Sequence, residues 1–277
     1  MSGNKSKIIA YNYFGGKFTW LEHLYSNFPN DFNHLVDVFG GSFCVSLNYK
    51  AKVVKTANEL NSDITNFFEV LRNNESDLIK LLLLTPCSIQ EYNNCWEHSE
   101  NKIEQARRFY VRVRQSFFGL GAQRKNKGWH MAKTQVNANG GETVSKWNNA
   151  IEKLHDVAEV IRSNFQITNF GFEECIEKID FEKAFFYCDP PYPEETRASF
   201  NDYKFEFDTE KHIQLAKKLH EIKGMAMVSS YNSKLYNELY SDWRKVELPV
   251  KKNNIRSGEV QEVIWMNYQE NNKGLFQ

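Results

Sequence analysis

The chain carries no net charge: 35 basic residues are matched by 35 acidic ones, so its total charge points to no polyanionic partner. No apolar run approaches the length of a membrane span, and the first residues, Met1 to Lys5, lack the apolar core of a signal peptide. A soluble, cytoplasmic protein is expected. Cysteines are few, odd in number and widely spaced (Cys44, Cys87, Cys95, Cys175, Cys188), which argues against a disulfide framework. Cys95 and His98 have metal-ligand spacing but no second close pair beside them, so they are read as structural and no metal is expected. What the chain does have is core: with 41% hydrophobic residues, its 277 residues suit one large α/β domain with a smaller insertion.

The most informative stretch is Phe185-Phe186-Tyr187-Cys188-Asp189-Pro190-Pro191-Tyr192. Ala184 to Cys188 has the length and aromatic content of a buried strand, and the prolines forbid its continuation. Asp189 is therefore expected at a strand's carboxyl end, the edge at which open α/β sheets bind ligands. There the Asp189 carboxylate and the Pro190 carbonyl offer two adjacent acceptors, matching the two donors of a planar amino group. Tyr192 adds a flat face for a planar base, a contact worth about 1 to 3 kcal/mol per base. The plainer alternative is a strand that simply ends at a Pro-Pro turn.

Earlier segments repeat this strand-then-loop pattern. Leu35 to Phe39 reads as a buried strand, and Gly40-Gly41 lets the chain turn tightly before a helix. Val53 to Ala57 reads as a second strand, with Glu59 at its end about 20 residues after the glycine turn, where a carboxylate commonly accepts from a ribose diol. Glu59 could instead cap the following helix, a need that Asn61 or Asp63 could also meet. Near the start, Gly15-Gly16 and Lys17 lead into the helical pattern Trp20, Leu21, Leu24, Tyr25.

From about Ser62 to Trp147 the pattern is helical, with helices expected over Ile64 to Leu71, Asp77 to Leu84 and Ala106 to Phe117. No acid falls between Glu104 and Glu142, whereas Arg107, Arg108, Arg112, Arg114, Arg124, Lys125, Lys127 and Lys133 do. Eight positives unopposed along the chain suggest a phosphate footprint rather than a solvated face, and Gln123 to His130 reads as a basic hairpin or loop. Farther on, Ile151 to Ile161 is amphipathic and Gln166 to Asn169 suits a short strand. Pro193 to Phe207 is a long polar-aromatic loop containing Arg197, Thr209 to Ile222 reads as a helix, and Met225 to Ser229 as a strand. Two late apolar strands flank Lys251 to Gly258, whose Lys251, Lys252 and Arg256 either grip phosphate or form a solvated turn.

Cys188-Asp189-Pro190-Pro191-Tyr192 resembles the catalytic motif of the Dam-type adenine-specific DNA methyltransferases, in the alpha group of amino-methyltransferases. Three further segments resemble the family's in the right order: Tyr13-Phe14-Gly15-Gly16-Lys17, Asp37-Val38-Phe39-Gly40-Gly41-Ser42 and Asn58-Glu59-Leu60-Asn61-Ser62-Asp63. The resemblance implies a Rossmann-like, S-adenosylmethionine-dependent methyltransferase domain, residues 1–61 and 148–277, with an inserted, mostly helical target-recognition domain over 62–147. It implies methyl transfer to the exocyclic amino group of adenine in double-stranded DNA, with the base flipped out of the duplex. Asp189, Pro190 and Tyr192 are then catalytic, and Tyr13, Lys17, Asp37, Gly40, Glu59, Phe172 and Asp189 bind S-adenosylmethionine, with Asp37 facing its amino end and Phe172 near its adenine ring. Arg114, Arg124, Lys125, Lys127, Arg197, Lys252 and Arg256 are assigned to DNA. Phe43 departs from the family, which often has glycine there, and would reshape the donor pocket. The region after Gly119 differs from the best-known Dam hairpin, which leaves the recognised sequence open.

These features lead to the expectation of a monomeric bacterial or phage enzyme at the nucleoid, with room for a cognate restriction endonuclease in the same system. Two other readings are carried: a methyltransferase acting on RNA or a protein amide, whose groups often have Asn in place of Asp189, and a catalytically silent DNA-binding relative. Intact Asp189, Tyr192, Lys17 and Glu59 weigh against the latter.

Overall fold

The apolar runs between the glycines and prolines become the central strands of a sheet. A computed structural model describes residues 7–13, 15–116, 128–134, 136–137, 140–193, 207–252 and 259–269. The chain alternates between two units, one from residues 1–18, 41–50 and 59–169 and the other from 19–40, 51–58 and 170–277.

The second unit has α/β, Rossmann-like architecture. After α1 (Leu21–Ser26) come β1 (His34–Asp37) and β2 (Val54–Asn58), then α9 (Phe172–Ile179), β6 (Ala184–Cys188), α10 (Thr209–His220), β7 (Met225–Tyr231), α11 (Lys234–Leu239), β8 (Arg244–Glu247) and β11 (Glu262–Met266). The strands lie in the order β2-β1-β6-β7-β11-β8. The first four are parallel, and β11 runs antiparallel to both β7 and β8. A short antiparallel pair, β9 (Lys251–Lys252) and β10 (Glu259–Val260), precedes β11. β6 and β11 are buried at every position, as expected for strands covered on both faces. Against one face pack Cys175 and Ile176 of α9, Leu215, Ala216 and Leu219 of α10, and Tyr236 of α11. Gly224, before β7, is a glycine by necessity, since a Cβ there would come 2.6 Å from the Ala184 carbonyl oxygen.

The first unit is largely helical: α2 (Cys44–Asn48), α3 (Ser62–Asn73), α4 (Glu75–Leu83), α5 (Ile89–Asn94), α6 (Lys102–Gln115), α7 (Glu142–Glu152) and α8 (Leu154–Asn164), with β3 (Val136–Asn137), β4 (Gly140–Gly141) and β5 (Phe165–Thr168). Its core is aromatic. Phe67 stacks on Tyr110 at 5.3 Å and 6°, while Tyr11 meets Phe67 and Phe109 edge-on. The buried Tyr11 and Tyr110 hydroxyls donate to the carbonyls of Gly41 and Ala10. Ala106, Phe109, Tyr110 and Val113 form the buried face of α6, as their spacing predicts.

Several elements differ from expectation, among them α9 and α11, which the sequence patterns do not announce. The amphipathic run Ile151 to Ile161 belongs to two helices, because the chain breaks at Lys153 between α7 and α8. The helix α5, begun by the Ser88 side chain accepting from the Glu91 amide, buries only Tyr92 and leaves no periodic trace.

Candidate active site

β6 ends at Cys188, so Asp189 and Pro190 stand just past a strand's carboxyl end, as the prolines require. Asp189 is half-buried. The Ser229 hydroxyl, on the neighbouring β7, donates to Asp189 Oδ1 at 3.1 Å, and the Tyr187 hydroxyl lies 2.9 Å from Ser229 Oγ. Burial, and then the Asp189 carboxylate, push the Tyr187 pKa well above its ordinary value. Tyr187 is therefore protonated and donates to Ser229, completing a directed chain Tyr187 to Ser229 to Asp189. Tyr192 is only 7% exposed. Its hydroxyl donates to Glu262, 2.9 Å from Oε1 and 2.8 Å from Oε2, and its ring meets that of Tyr231 at 4.7 Å and 71°.

In the same unit, Asp37 closes β1 and is buried, with Tyr187 as its register partner on β6. Gly40 follows, its amide donating to the Asn58 carbonyl at 2.9 Å. The Asn58 side chain joins the ends of three segments. Its Nδ2 donates to the Val38 and Phe170 carbonyls at 3.0 and 3.1 Å, and its Oδ1 accepts from the Phe170 amide at 2.9 Å. Phe172 begins α9, and its ring stacks on that of Phe39 at 6.0 Å and 27°. Both rings are half-buried.

In the first unit, Gly41 has φ +53°, and a Cβ there would lie 2.9 Å from carbons of the Tyr13 ring. Only glycine allows both this turn and the approach of the aromatic. Glu59 braces the turn: its carboxylate accepts from the Gly41 amide at 2.8 Å and from the Asn61 amide at 2.9 Å. Asn61 itself caps α3, accepting from the Asp63 amide at 3.2 Å. The cap therefore rests on Asn61, while Glu59 has a structural role that its position in the sequence does not reveal. Lys17 is buried, and its Nζ donates to the Gly15 carbonyl at 3.2 Å. Phe43 has φ +55° and is fully buried, stacked on Phe68 at 4.3 Å and 26°.

The acid-free window of the sequence is not acid-free in space. Arg107 pairs with Glu104 and Glu91 at 2.7 and 2.6 Å, Arg108 with Glu104 at 2.7 Å, and Arg112 with Asp63 at 3.0 Å. These three arginines hold α6 to its own first turn, to α5 and to α3, so the reading of eight unopposed positives is corrected. Arg114 donates to the Lys146 carbonyl at 3.2 Å, and Lys133 is exposed. Arg124, Lys125, Lys127, Arg197 and Arg256 lie outside the described residues, as does the Lys252 side chain, whose backbone belongs to β9. Of the expected basic hairpin or loop, Gln123 to His130, residues 123–127 lie outside the described residues; Trp129 forms an antiparallel bridge with Ser116, and its indole donates to the Gln115 side chain at 3.1 Å. Cys95 is buried, its thiol donating to Glu91 at 3.3 Å.

Ser229 and Glu262 carry no motif of their own, and Phe39 and Asn58 lie inside quoted segments without having been assigned a role. A period-2 reading of the strands beside β6 would have brought Ser229 to Asp189, but nothing local singles out Glu262. Among the described residues no helix is long and apolar enough to cross a membrane.

Residues 13–255 match the family model of the D12 class N6 adenine-specific DNA methyltransferases. The chain is similar to the type II methyltransferase M1.LlaDCHI of Lactococcus lactis subsp. cremoris, at 28% identity over 92% of this chain and 93% of that protein. It is also similar to the type II methyltransferase M.FokI of Planomicrobium okeanokoites, at 24% identity over 93% of this chain but 42% of that longer protein.

Proposed function

The chain belongs to the D12 class of N6 adenine-specific DNA methyltransferases, and from that membership we propose how its residues divide the work. The observation that carries the proposal is Asp189, held at the carboxyl end of β6 with one oxygen oriented by Ser229. The target adenine leaves the duplex, at a cost of a few kcal/mol that stacking and hydrogen bonding at its new place offset. Tyr192 holds the extruded base. The Asp189 carboxylate and the Pro190 carbonyl accept the two hydrogens of the exocyclic amine, which turns the nitrogen lone pair toward the incoming carbon. As the nitrogen–carbon bond forms, the methyl carbon's bond to the sulfonium sulfur breaks and leaves a neutral thioether; Asp189 stabilises the positive charge that develops on the nitrogen, whose surplus proton then passes to solvent. Orientation and electrostatics carry the step.

S-adenosylmethionine, when bound, supplies an electrophilic methyl group on a sulfonium. The residues present suit it chemically. Glu59 is a carboxylate for the ribose hydroxyls, Asp37 one for the ammonium group, and Lys17 a cation for the carboxylate. Tyr13 and the Gly40-Gly41 turn allow close approach, and Phe172, beside Phe39, is a ring for the adenine. For DNA we assign Arg114, Arg124, Lys125, Lys127, Arg197, Lys252 and Arg256, with residues 62–147 as the target-recognition part. The similarity to two type II methyltransferases favours a methyltransferase of a type II system, with a cognate endonuclease as its partner.

Transfer of a labelled methyl group to DNA, RNA and protein side by side tests the reading. Label should enter DNA alone, as N6-methyladenine, and disappear with Asp189→Ala. Label entering RNA or protein at a comparable rate would overturn it.

A further inference from the structure

We propose that Glu262 is a positioning residue for methyl transfer: its buried carboxylate holds the Tyr192 hydroxyl and so sets the plane of the ring against which the target base rests. The inference rests on the reading of Tyr192 as the residue that holds the base.

Glu262 is out of character for its strand. It opens β11, whose remaining residues, Val263 to Met266, are all apolar and buried, and it is itself only 4% exposed. A carboxylate withdrawn from water to that degree is costly unless hydrogen-bonded. The Tyr192 hydroxyl meets that need, within 2.9 Å of both carboxylate oxygens. Burial and the Asp189 and Glu262 carboxylates raise the Tyr192 pKa, so the hydroxyl remains protonated and acts as the donor.

The register explains why this acid acts on the ring rather than only filling space. Glu262 stands directly opposite Tyr231 across the β7–β11 ladder, and both residues of that pair touch Tyr192. Tyr231 meets the ring edge-on, while Glu262 takes the hydroxyl at the ring's far end. At the near end, Pro190 and Pro191 restrict the backbone leading into Tyr192. A tyrosine side chain turns about two torsions, and contacts at its root, its edge and its tip leave one orientation. Stacking alone would be served by a phenylalanine, which has no need of an acid. The Tyr192–Glu262 pair adds a fixed direction, and transfer rates are sensitive to misplacement on the ångström scale.

The test is a double-variant cycle of Tyr192→Phe and Glu262→Leu, with Tyr192→Ala and Glu262→Gln alongside. Methyl transfer to unmethylated genomic DNA is read at saturating donor, donor affinity by calorimetry and folding by thermal unfolding. Glu262→Leu and Tyr192→Phe should each lower kcat by about 10-fold while donor affinity holds, and the double variant should be no slower than the slower single one. Glu262→Gln, which keeps an acceptor, should recover most of the loss. Multiplying effects in the double variant, or full kcat in both Glu262→Leu and Tyr192→Phe, would overturn the inference. Should Glu262→Leu not fold, Tyr192→Phe and Glu262→Gln still decide: the first must be slow and the second must be faster than it. Undiminished transfer by Tyr192→Ala would instead overturn the base-holding reading itself, whereas a dead Tyr192→Ala beside fully active Tyr192→Phe and Glu262→Leu would overturn the Glu262 inference alone.

Discussion

The Ser229 hydroxyl donates to Asp189 Oδ1 across the β6–β7 boundary at 3.1 Å, and the buried Tyr187 hydroxyl backs it at 2.9 Å. Asp189 sits where the chain has just left its strand, so backbone pairing no longer fixes it. A hydroxyl on the adjacent parallel strand provides that constraint, and the direction of the hydrogen-bond chain delivers a donor to the carboxylate.

A graded series of losses is expected from this chain. Asp189→Ala should lower methyl transfer by on the order of 100-fold or more while the fold persists, because an acceptor at the attacking nitrogen is gone. Ser229→Ala removes only an orienting bond, worth about 0.5 to 1.5 kcal/mol, or about 2- to 10-fold in rate. Tyr187→Phe, one bond farther away, should cost less than Ser229→Ala. Steady-state rates on unmethylated DNA give the order, and a Ser229→Ala enzyme as inactive as Asp189→Ala would show that Ser229 does more than orient.

Glu59 must be tested with its brace in mind. Glu59→Ala leaves the Gly41 and Asn61 amides without their acceptor, at a cost of about 1 to 3 kcal/mol of stability for an unsatisfied buried group. A lower donor affinity in that variant could therefore reflect a loosened turn. Glu59→Gln keeps the size and one accepting oxygen but removes the charge, so it should stay closer to wild type in thermal unfolding while still binding S-adenosylmethionine more weakly. Calorimetry showing unchanged donor affinity in Glu59→Gln would leave Glu59 with its structural role only.

The contiguous parts of this protein were legible in its sequence, and the parts assembled from distant residues were not. β6 and β1 are short, largely apolar runs closed by proline or glycine, β2 is a mixed strand closed by an acid, and each lies within a residue or two of its expected limits. Periodicity misled at Lys153, because Trp147, Ile151, Leu154, Ala158 and Ile161 keep helical spacing through a one-residue break. It also misled about charge, since a window along the chain cannot see that Arg112 reaches back 49 positions to Asp63. Ser229 and Glu262 lie 40 and 70 residues from the motif side chains that they touch. Only the strand order, with β11 inserted antiparallel beside β7, brings them there.

Phe43 occupies a left-handed conformation that costs a non-glycine residue about 1 to 2 kcal/mol. The stacked, fully buried ring outweighs that cost, since removing a buried phenylalanine typically loses about 3 to 5 kcal/mol. Both Phe43→Gly and Phe43→Ala should therefore be destabilised. Glycine should be the milder of the two by about 1 kcal/mol, the reverse of their order in a helix interior, because it also relieves the backbone. Urea unfolding of the pair decides, and an alanine variant at least as stable as the glycine one would refute the strain argument.

The last prediction separates the basic residues that build the first unit from those assigned to DNA. Arg112 is 7% exposed and paired with Asp63, so Arg112→Ala removes the cation from a half-buried carboxylate that keeps the Gln105 side chain as a donor. It should destabilise the protein by on the order of 3 kcal/mol, with no change in the salt dependence of DNA binding. Lys125→Ala or Lys127→Ala should instead leave stability alone and reduce the salt slope by about one unit, as the loss of a phosphate contact does. Arg124 carries a planar fork suited to guanine, so Arg124→Ala should relax one position of the recognised site by about 1 to 3 kcal/mol. Salt titration of binding, with methylation rates on a panel of single-base site variants, distinguishes the three behaviours. An Arg112→Ala enzyme of normal stability with a reduced salt slope would move that arginine to the DNA. If Arg124, Lys125 and Lys127 change neither slope nor site preference, the hairpin has no part in recognition, and Arg114, Arg197, Lys252 and Arg256 become the residues to test.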